Sequence, residues 1–120
     1  ANIAAEARQA MLLQRVSKGA DQMSAREALE IATLGGALVL GRDDIGQIRP
    51  GMRADLALWD ISGIESAGSW DPSAFLLAGP KRVTHLFIEG RHIVKDGHCT
   101  TVDLPRLLRK ANSSVERLMS

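Results

Sequence analysis

Apolar residues recur at helical spacing in the first third of the chain. From about Asn2 to Val16 they return every three or four positions, which predicts a helix. Gly19 follows as a stop signal, available for the left-handed conformation that ends many helices. A second helix is predicted to begin at Ser24, since Ser24 and Glu27 have the spacing of a capping box, and to end at Gly41.

The second predicted helix contains two consecutive glycines, Gly35 and Gly36. Two glycines cost a helix about 2 kcal/mol relative to alanine, so we expect them to allow close packing against a neighbouring element. Both predicted helices have wide apolar faces, and the rest of the chain looks too small to cover both. A large partner surface is therefore expected, although the two helices could instead cover each other.

The middle of the chain has short apolar runs between turn residues, which predict strands. A turn at Pro50-Gly51 leads into a mostly apolar strand from Ala54 to Asp60, which is typical of a strand buried on both faces. Ile48 is predicted to lie in a short strand before that turn. Polar residues at Arg42–Asp44 and an irregular stretch from Ile61 to Trp70 are predicted to be loops.

A short helix and a hairpin are predicted next. Asp71-Pro72 is typical of a helix start, and Gly79-Pro80 of its end. The hairpin is predicted from two apolar runs that are separated by a tight turn. Its predicted parts are a strand at Val83–Ile88, a turn at Glu89-Gly90, a strand at Arg91–Val94, a turn at Asp96-Gly97 and a short strand at Thr100–Val102.

The last predicted helix has one apolar stripe and one basic face. Asp103 is its expected N-cap, with Pro105 in the first turn. The chain is thus of the α+β class, and we expect three parts: two helices in residues 1–42, a β-rich part with a short helix near 72–78 in residues 43–102, and a C-terminal helix in residues 103–120.

Composition and charge exclude several classes of function. The 120 residues are 45% hydrophobic but only 3% aromatic, and the net charge is +1. Neither base stacking nor a basic patch supports nucleic-acid binding, and no charge pattern points to a membrane surface. No apolar run reaches the roughly 20 residues of a membrane span, and no signal peptide is recognisable. The single Cys99 cannot form an internal disulfide, which favours a cytoplasmic location.

Three histidines are the first candidates for chemistry. His85 and His92 are expected on paired strands, where they could approach each other, and His98 at the next turn. A zinc site needs three or four converging ligands, and Cys99 beside His98 would point to the opposite face of an extended chain. No metal-binding spacing occurs, so we interpret these residues as ordinary strand and turn histidines.

Carboxylates and serines are weaker candidates. Asp55 and Asp60 flank the central strand, but residues five apart on a strand face opposite sides and do not form an acid–base pair. Asp55 is expected to accept backbone N–H bonds at a turn. Ser113 and Ser114 have no recognisable His–Asp partners for nucleophilic catalysis. No catalytic, cofactor-binding or metal-binding residue is therefore predicted in this chain.

Four motifs occur in order along the chain. The central one is Gly46-Gln47-Ile48-Arg49-Pro50-Gly51-Met52-Arg53-Ala54-Asp55-Leu56. The others are the run from Glu6 to Arg15, the stretch Ser24–Ala37, which follows A-L-x-x-A-T-x-x-G-A, and the stretch Val83–Gly97, which follows V-x-x-V-x-V-x-G-x-x-V-x-x-D-G. Together the four motifs resemble the amidohydrolase superfamily, specifically its aminohydrolase branch of guanine, 8-oxoguanine and triazine deaminases. Within that branch, the run from Glu6 to Arg15 and the helix start at Asp103 are most similar to 8-oxoguanine deaminases.

The resemblance implies a longer parent enzyme with a (β/α)8 barrel and a small composite β-domain. Its zinc or iron would lower the pKa of a bound water, and the resulting hydroxide would attack the ring carbon that bears the amine. The metal ligands of the family would all precede Ala1. This chain would supply the last barrel helices, part of the β-domain and a C-terminal helix. We expect it to be an inactive fragment that needs no cofactor.

Two other functions stay open from sequence. The chain could be a detached interaction module that covers its helix faces by self-association, and a homo-oligomer is expected in either case. It could also be a small enzyme that uses His85, His92 and Asp55. The expected partners are the rest of the parent barrel or a second copy, with no nucleic acid and no membrane.

Overall fold

The computed structural model describes residues 2–79 and 81–119 and shows a mixed helix and sheet fold. No helix in these two ranges is long and apolar enough to cross a membrane. The elements, in chain order, are α1 (Ile3–Lys18), α2 (Ala25–Glu30), a π-helical turn (Ile31–Gly35), α3 (Gly36–Val39), β1 (Leu56–Trp59), a 3-10 turn (Ile64–Ser66), α4 (Pro72–Ala78), β2 (Val83–Ile88), β3 (Arg91–Lys95), β4 (His98–Cys99) and α5 (Leu104–Met119).

The first helix has the boundaries that its sequence predicts, within two residues. Asn2 caps α1 through its side-chain oxygen, which accepts a hydrogen bond from the Ala5 N–H at 3.3 Å. Gly19 follows at a φ of +128° and a ψ of +151°. Its φ is positive as expected, but the extended ψ is not that of the left-handed helical conformation, so that detail of the prediction is wrong.

The second predicted helix runs without a gap from Ala25 to Val39. Its middle, Ile31–Gly35, is a π-helical turn instead of α-helix. The capping box is confirmed: the Glu27 N–H donates to Ser24 Oγ at 3.2 Å, and Glu27 Oε2 accepts from the Ser24 N–H at 2.7 Å. Gly41, at a φ of +64°, ends the helix, and the Arg42 N–H donates back to the Ala37 carbonyl at 3.0 Å. This reverse bond satisfies a carbonyl that the helix end leaves open.

No other described element packs closely on Gly35 or Gly36, so the expected close packing at these glycines stays a prediction. A Cβ on Gly36 would meet nothing within 4 Å, and one on Gly35 only its own helix. The close approach occurs at Gly46, where a Cβ would lie 2.9 Å from the Thr33 carbonyl oxygen and 3.0 Å from Ala37 Cβ. The loop after α3 therefore folds back onto the π-helical turn.

The four strands found in the described residues form one antiparallel sheet in the order β1-β2-β3-β4. Its central hairpin is confirmed, with Glu89 and Gly90 both at positive φ in the turn. Two expectations are wrong: Ile48 lies in a loop, and the last strand is His98–Cys99 instead of Thr100–Val102. Regular strand pairing in β4 begins directly after the Asp96-Gly97 turn, so it involves residues two positions earlier than the apolar pattern suggests.

The central strand is shorter and more exposed than predicted. It spans Leu56–Trp59 instead of Ala54–Asp60, and its two middle residues are exposed. The expectation of a strand buried on both faces is thus wrong within the described residues, because no layer of described residues covers Ala57 or Leu58. Trp59 alone packs against the helix core.

The core lies between α1, α2 and α4. Leu77 of α4, 1% exposed, and Ala28 of α2, 1% exposed, are its most buried apolar residues. Asp71 caps α4 by accepting the Ser73 N–H at 3.0 Å, as its position before Pro72 predicts. Pro80, the expected stop after α4, lies outside the described residues. The other members of the core are small or flexible: Ala4, Ala7, Met11 and Ala25.

The last helix begins as predicted but lies apart from this core. The Arg106 N–H donates to Asp103 Oδ1 at 3.0 Å, which confirms the N-cap. The large apolar side chains of its stripe are all at least 43% exposed: Leu104, Leu107, Leu108, Val115 and Leu118. The helix therefore presents an uncovered apolar face as well as its basic face.

Candidate functional site

The predicted approach of two strand histidines is realised as a direct contact. Nδ1 of His85 in β2 lies 3.1 Å from Nε2 of His92 in β3. Their ring centroids are 5.2 Å apart, and the Phe87 ring stacks on His92 at 4.4 Å with an interplanar angle of 11°. A β-bulge between Leu86 and Phe87 shifts the strand register here. We call these two residues the histidine pair.

The other ring nitrogen of His85 faces a carboxylate. Asp96 Oδ1 is 3.6 Å from His85 Nε2. His98 is not part of this arrangement, because its Nδ1 contacts the Asp96 backbone oxygen at 2.8 Å. Across residues 2–79 and 81–119, no group of three or more His, Cys, Asp or Glu side chains could hold a metal ion. A two-histidine pair does not fit the three or four ligands of a zinc site.

Asp55 accepts a backbone N–H bond at a turn, as predicted. Its carboxylate accepts the Glu89 backbone N–H at 2.7 Å, which ties the start of β1 to the β2–β3 turn. The neighbouring Gly90 N–H donates to the Ala54 carbonyl at 3.0 Å. In the described part of the chain, neither histidine of the pair shares a hydrogen bond or ion pair with Asp55. The three candidates for a small independent enzyme are therefore not assembled.

The remaining sequence candidates make local contacts. Asp60 accepts the Ser62 N–H at 2.9 Å and its hydroxyl at 2.7 Å, and these bonds lower the pKa of the Asp60 carboxyl. Ser113 and Ser114 both donate to the Lys110 carbonyl in α5. Hydrogen bonding to Thr101 lowers the pKa of the Cys99 thiol. None of these contacts unites a nucleophile with a base.

Sequence reasoning missed an ion cluster that joins the helices to the sheet. Asp44 accepts hydrogen bonds from Arg42 Nε at 2.8 Å, Arg42 Nη2 at 2.9 Å and Arg53 Nε at 2.7 Å. Arg53 also pairs with Glu89 in the hairpin turn. The bonds from Arg42 and Arg53 hold the pKa of the Asp44 carboxyl well below its usual range. The only available signal was the alternation of charges in this loop.

Another candidate for a functional surface is apolar. Leu38 is 78% exposed and Val39 is 88% exposed, at the end of the second helix. Exposed apolar residues at such density mark surfaces that another protein segment covers. We call the following residues the exposed helix residues: Ile3, Leu13, Val16, Ile31, Leu38, Val39 and Leu40.

Comparison with known proteins assigns the chain to a family. Residues 1–93 match the model of the amidohydrolase family. The chain is also 39% identical, over 120 residues and 99% of its length, to an 8-oxoguanine deaminase of Pseudomonas aeruginosa. The chain therefore belongs to the amidohydrolase family, as its four motifs suggested.

Solved structures agree with this assignment. A zinc-bound adenosine deaminase from Xanthomonas campestris superposes with a TM-score of 0.88 at 30% identity, over 98% of this chain and 28% of that one. An atrazine chlorohydrolase from Arthrobacter aurescens TC1, complexed with zinc, gives a TM-score of 0.82 at 30% identity, over 92% of this chain and 25% of that one. The fold of the chain is thus part of the fold of metal-containing amidohydrolases.

The chain is much shorter than these relatives. It spans 27% of the length of the Pseudomonas aeruginosa enzyme. The relatives thus contain a large body of protein that has no counterpart here.

Proposed function

We propose that the chain is the C-terminal structural portion of a metal-dependent amidohydrolase. It supplies the last helices of a (β/α)8 barrel through residues 1–42, part of a composite β-domain through residues 43–102, and a C-terminal helix through residues 103–120. The parent enzyme deaminates a purine- or triazine-like ring by hydrolysis with zinc or iron, in the cytoplasm, as a homo-oligomer. The chain alone is inactive.

One observation carries this proposal. The exposed helix residues lie uncovered in a chain that spans about a quarter of its relatives' length. Burial of one large aliphatic side chain stabilises a protein by about 1.5–3 kcal/mol, so seven uncovered ones favour a missing partner over a solvent-facing surface. The rest of the parent barrel is the partner that the family provides.

The open space around Gly36 supports the same proposal. Two adjacent glycines cost a helix about 2 kcal/mol relative to alanine, and close packing on the glycine backbone can offset that cost. Apart from the neighbours and the helix backbone of Gly36 itself, no described part of the chain lies within 4 Å of a Cβ on this glycine. A barrel element that packs directly on this backbone would compensate for the low helix propensity of Gly36.

Metal content and turnover of the purified chain test the predicted inactivity. We expect less than one zinc or iron per ten chains after dialysis, and no ammonia release from 8-oxoguanine or a triazine. The matched control is the Pseudomonas aeruginosa relative, treated in the same way. One metal per chain together with turnover would overturn the proposal, because the chain would then carry its own active site.

A detached, self-associating module is the second candidate, and the uncovered apolar stripe of α5 favours it. Light scattering distinguishes the two accounts when it is combined with a charged substitution on each apolar surface. If Leu107→Asp converts an oligomer into a monomer of 12.9 kDa and Leu38→Asp does not, α5 is the interface between copies. If the unmodified chain is a monomer whose apolar surface binds a fluorescent dye, the missing-partner account stands.

A further inference from the structure

Helix α5 carries apolar residues in the spacing of a seam between two helices. Along the uninterrupted helix Leu104–Met119 they follow one another at steps of four, three, four and three residues. These steps place them in one narrow line, because seven residues make nearly two turns of an α-helix. All of them are exposed. We call the following residues the α5 seam: Leu104, Leu108, Ala111, Val115 and Leu118.

The charged residues of α5 all lie away from the seam. In a seven-residue repeat the seam occupies the positions called a and d, and the positions e and g flank it. The flanking positions of α5 hold only uncharged residues: Pro105, Leu107, Asn112, Ser114 and Met119. The remaining positions point outward and hold every charged residue of the helix: Arg106, Arg109, Lys110, Glu116 and Arg117. The surface that α5 offers to a partner is therefore apolar, with neutral edges.

The neutral edges distinguish between possible partners of the seam. An acidic protein or an anionic membrane is attracted by basic residues that border the apolar line and reach across the contact. In α5 the excess of basic over acidic residues lies on the opposite side of the helix. A second copy of α5 has the reverse requirement, because like charges at the flanks of two identical helices would repel each other. A helix that is basic overall but neutral at its flanks meets that requirement.

The middle of the seam is also suited to a symmetric contact. Ala111 has two larger seam residues on each side of it along the helix. In a pair with a two-fold axis through the middle of α5, Ala111 of one copy lies beside Ala111 of the other. The small side chains let the two helix axes approach, while the larger residues interdigitate on either side. The helix is already formed in the chain, so pairing does not have to order a disordered segment.

We propose that α5 is the surface through which two copies of the chain associate, seam against seam, as a two-fold pair of helices. This inference names the interface of the homo-oligomer in the proposed function, and it rests on that part of the proposed function. The exposed helix residues take no part in the pair, so they stay available to the rest of the parent barrel. The two apolar surfaces of the chain thus have different partners.

Two aspartate substitutions in the middle of α5 test the seam against a matched control. Ala111→Asp places a charge in the seam, whereas Ser113→Asp places the same charge at an outward position of the same helix. Both sites are exposed, so neither charge is buried within one chain. Each variant is also combined with Leu38→Asp, which weakens any association through the exposed helix residues. Light scattering over a concentration series gives the mass and the dimer Kd.

We expect the unmodified chain and Ser113→Asp to reach twice the 12.9 kDa mass of one chain, with or without Leu38→Asp. Ala111→Asp should raise the dimer Kd by at least about tenfold, because two like charges then face each other in the contact. Circular dichroism checks that both variants keep their helix content. If Ala111→Asp loses helix, Ala111→Gln with Ser113→Gln as its control repeats the comparison with a good helix former and no charge.

The proposal would be overturned by an unmodified chain that stays monomeric, or by equal Kd values for the seam variant and its control. A monomer that binds phosphatidylserine vesicles, and loses this binding in Ala111→Asp, would assign the seam to a membrane surface instead. Metal content and turnover decide the proposed inactivity of the chain, whereas mass decides this inference. Either one can therefore fail without the other.

Discussion

The carboxylate of Asp55 accepts the backbone N–H of Glu89 at 2.7 Å, across 34 positions of sequence. Both residues belong to motifs that the chain shares with its family, the central stretch and the hairpin. The bond closes the β2–β3 turn onto the start of β1. It explains why an aspartate stands directly before a strand whose other residues are apolar.

Replacing Asp55 should loosen this end of the sheet. Asp55→Ala removes a charged acceptor from a backbone donor, and we expect a loss of about 1–3 kcal/mol in the free energy of unfolding. Asp55→Asn keeps an acceptor oxygen and should lose less. Denaturant unfolding measures both, with Asp43→Ala in the preceding loop as the control. Equal stability of Asp55→Ala and Asp43→Ala would show that the bond contributes nothing.

The ion cluster around Asp44 predicts that the stability of the fold decreases in acid. Hydrogen bonds from Arg42 and Arg53 hold the pKa of the Asp44 carboxyl below its unfolded value. Its contribution to stability is therefore fully present above the unfolded pKa and is lost as the pH falls below about 4. We expect Asp44→Asn to lower the melting temperature at pH 7 but not at the lowest pH. Parallel pH curves for Asp44→Asn and the unmodified chain would contradict this.

Gly46 should tolerate no side chain. A Cβ there would lie 2.9 Å from the Thr33 carbonyl oxygen, and the φ of +87° disfavours residues other than glycine. We expect Gly46→Ala to cost about 1–3 kcal/mol in the free energy of unfolding. Gly51→Ala is a suitable comparison, because its φ of +86° is similar but nothing lies within 4 Å. If the two variants lose the same stability, the backbone conformation and not the close approach is responsible.

Gly36 should behave in opposite ways in the chain and in a complete enzyme. In the chain, Gly36→Ala meets nothing within 4 Å and improves helix propensity, so we expect a gain of up to about 1 kcal/mol. Under the proposed packing on a barrel, the same methyl group would lower the stability of the assembled enzyme. The unfolding free energy of the chain and the melting temperature of a full-length enzyme with this change measure the two effects. A gain in both would argue against close packing at Gly36.

Local signals explain how much of the fold could be predicted from sequence. The caps at Ser24, Asp71 and Asp103 and the turn at Glu89-Gly90 depend on neighbouring residues, and each occurs where predicted. The π-helical turn and the close approach at Gly46 depend on how the loop after α3 packs back, which no local pattern records. The exposure of β1 could not be predicted either, because an apolar run carries no information about whether its neighbour is present.

The same distinction applies to the candidate site. The approach of His85 to His92 followed from strand pairing, whereas nothing in the sequence indicated the register shift between Leu86 and Phe87 beside their 3.1 Å contact. The Asp44 cluster joins the loop before β1 to the β2–β3 turn, and its members look like ordinary surface charges in the sequence. The predicted lack of catalytic residues stays a prediction, which the metal and turnover measurements address.

A chimera tests the central claim most directly. The segment of the Pseudomonas aeruginosa 8-oxoguanine deaminase that aligns with this chain is replaced by the chain itself, and ammonia release from 8-oxoguanine is measured together with zinc or iron content. Leu38→Asp in the chimera is the matched control, because it places a charge among the exposed helix residues. The proposed structural role predicts a metal-loaded, active chimera and an inactive or insoluble control. A chimera that folds and binds metal equally well with and without Leu38→Asp would contradict it.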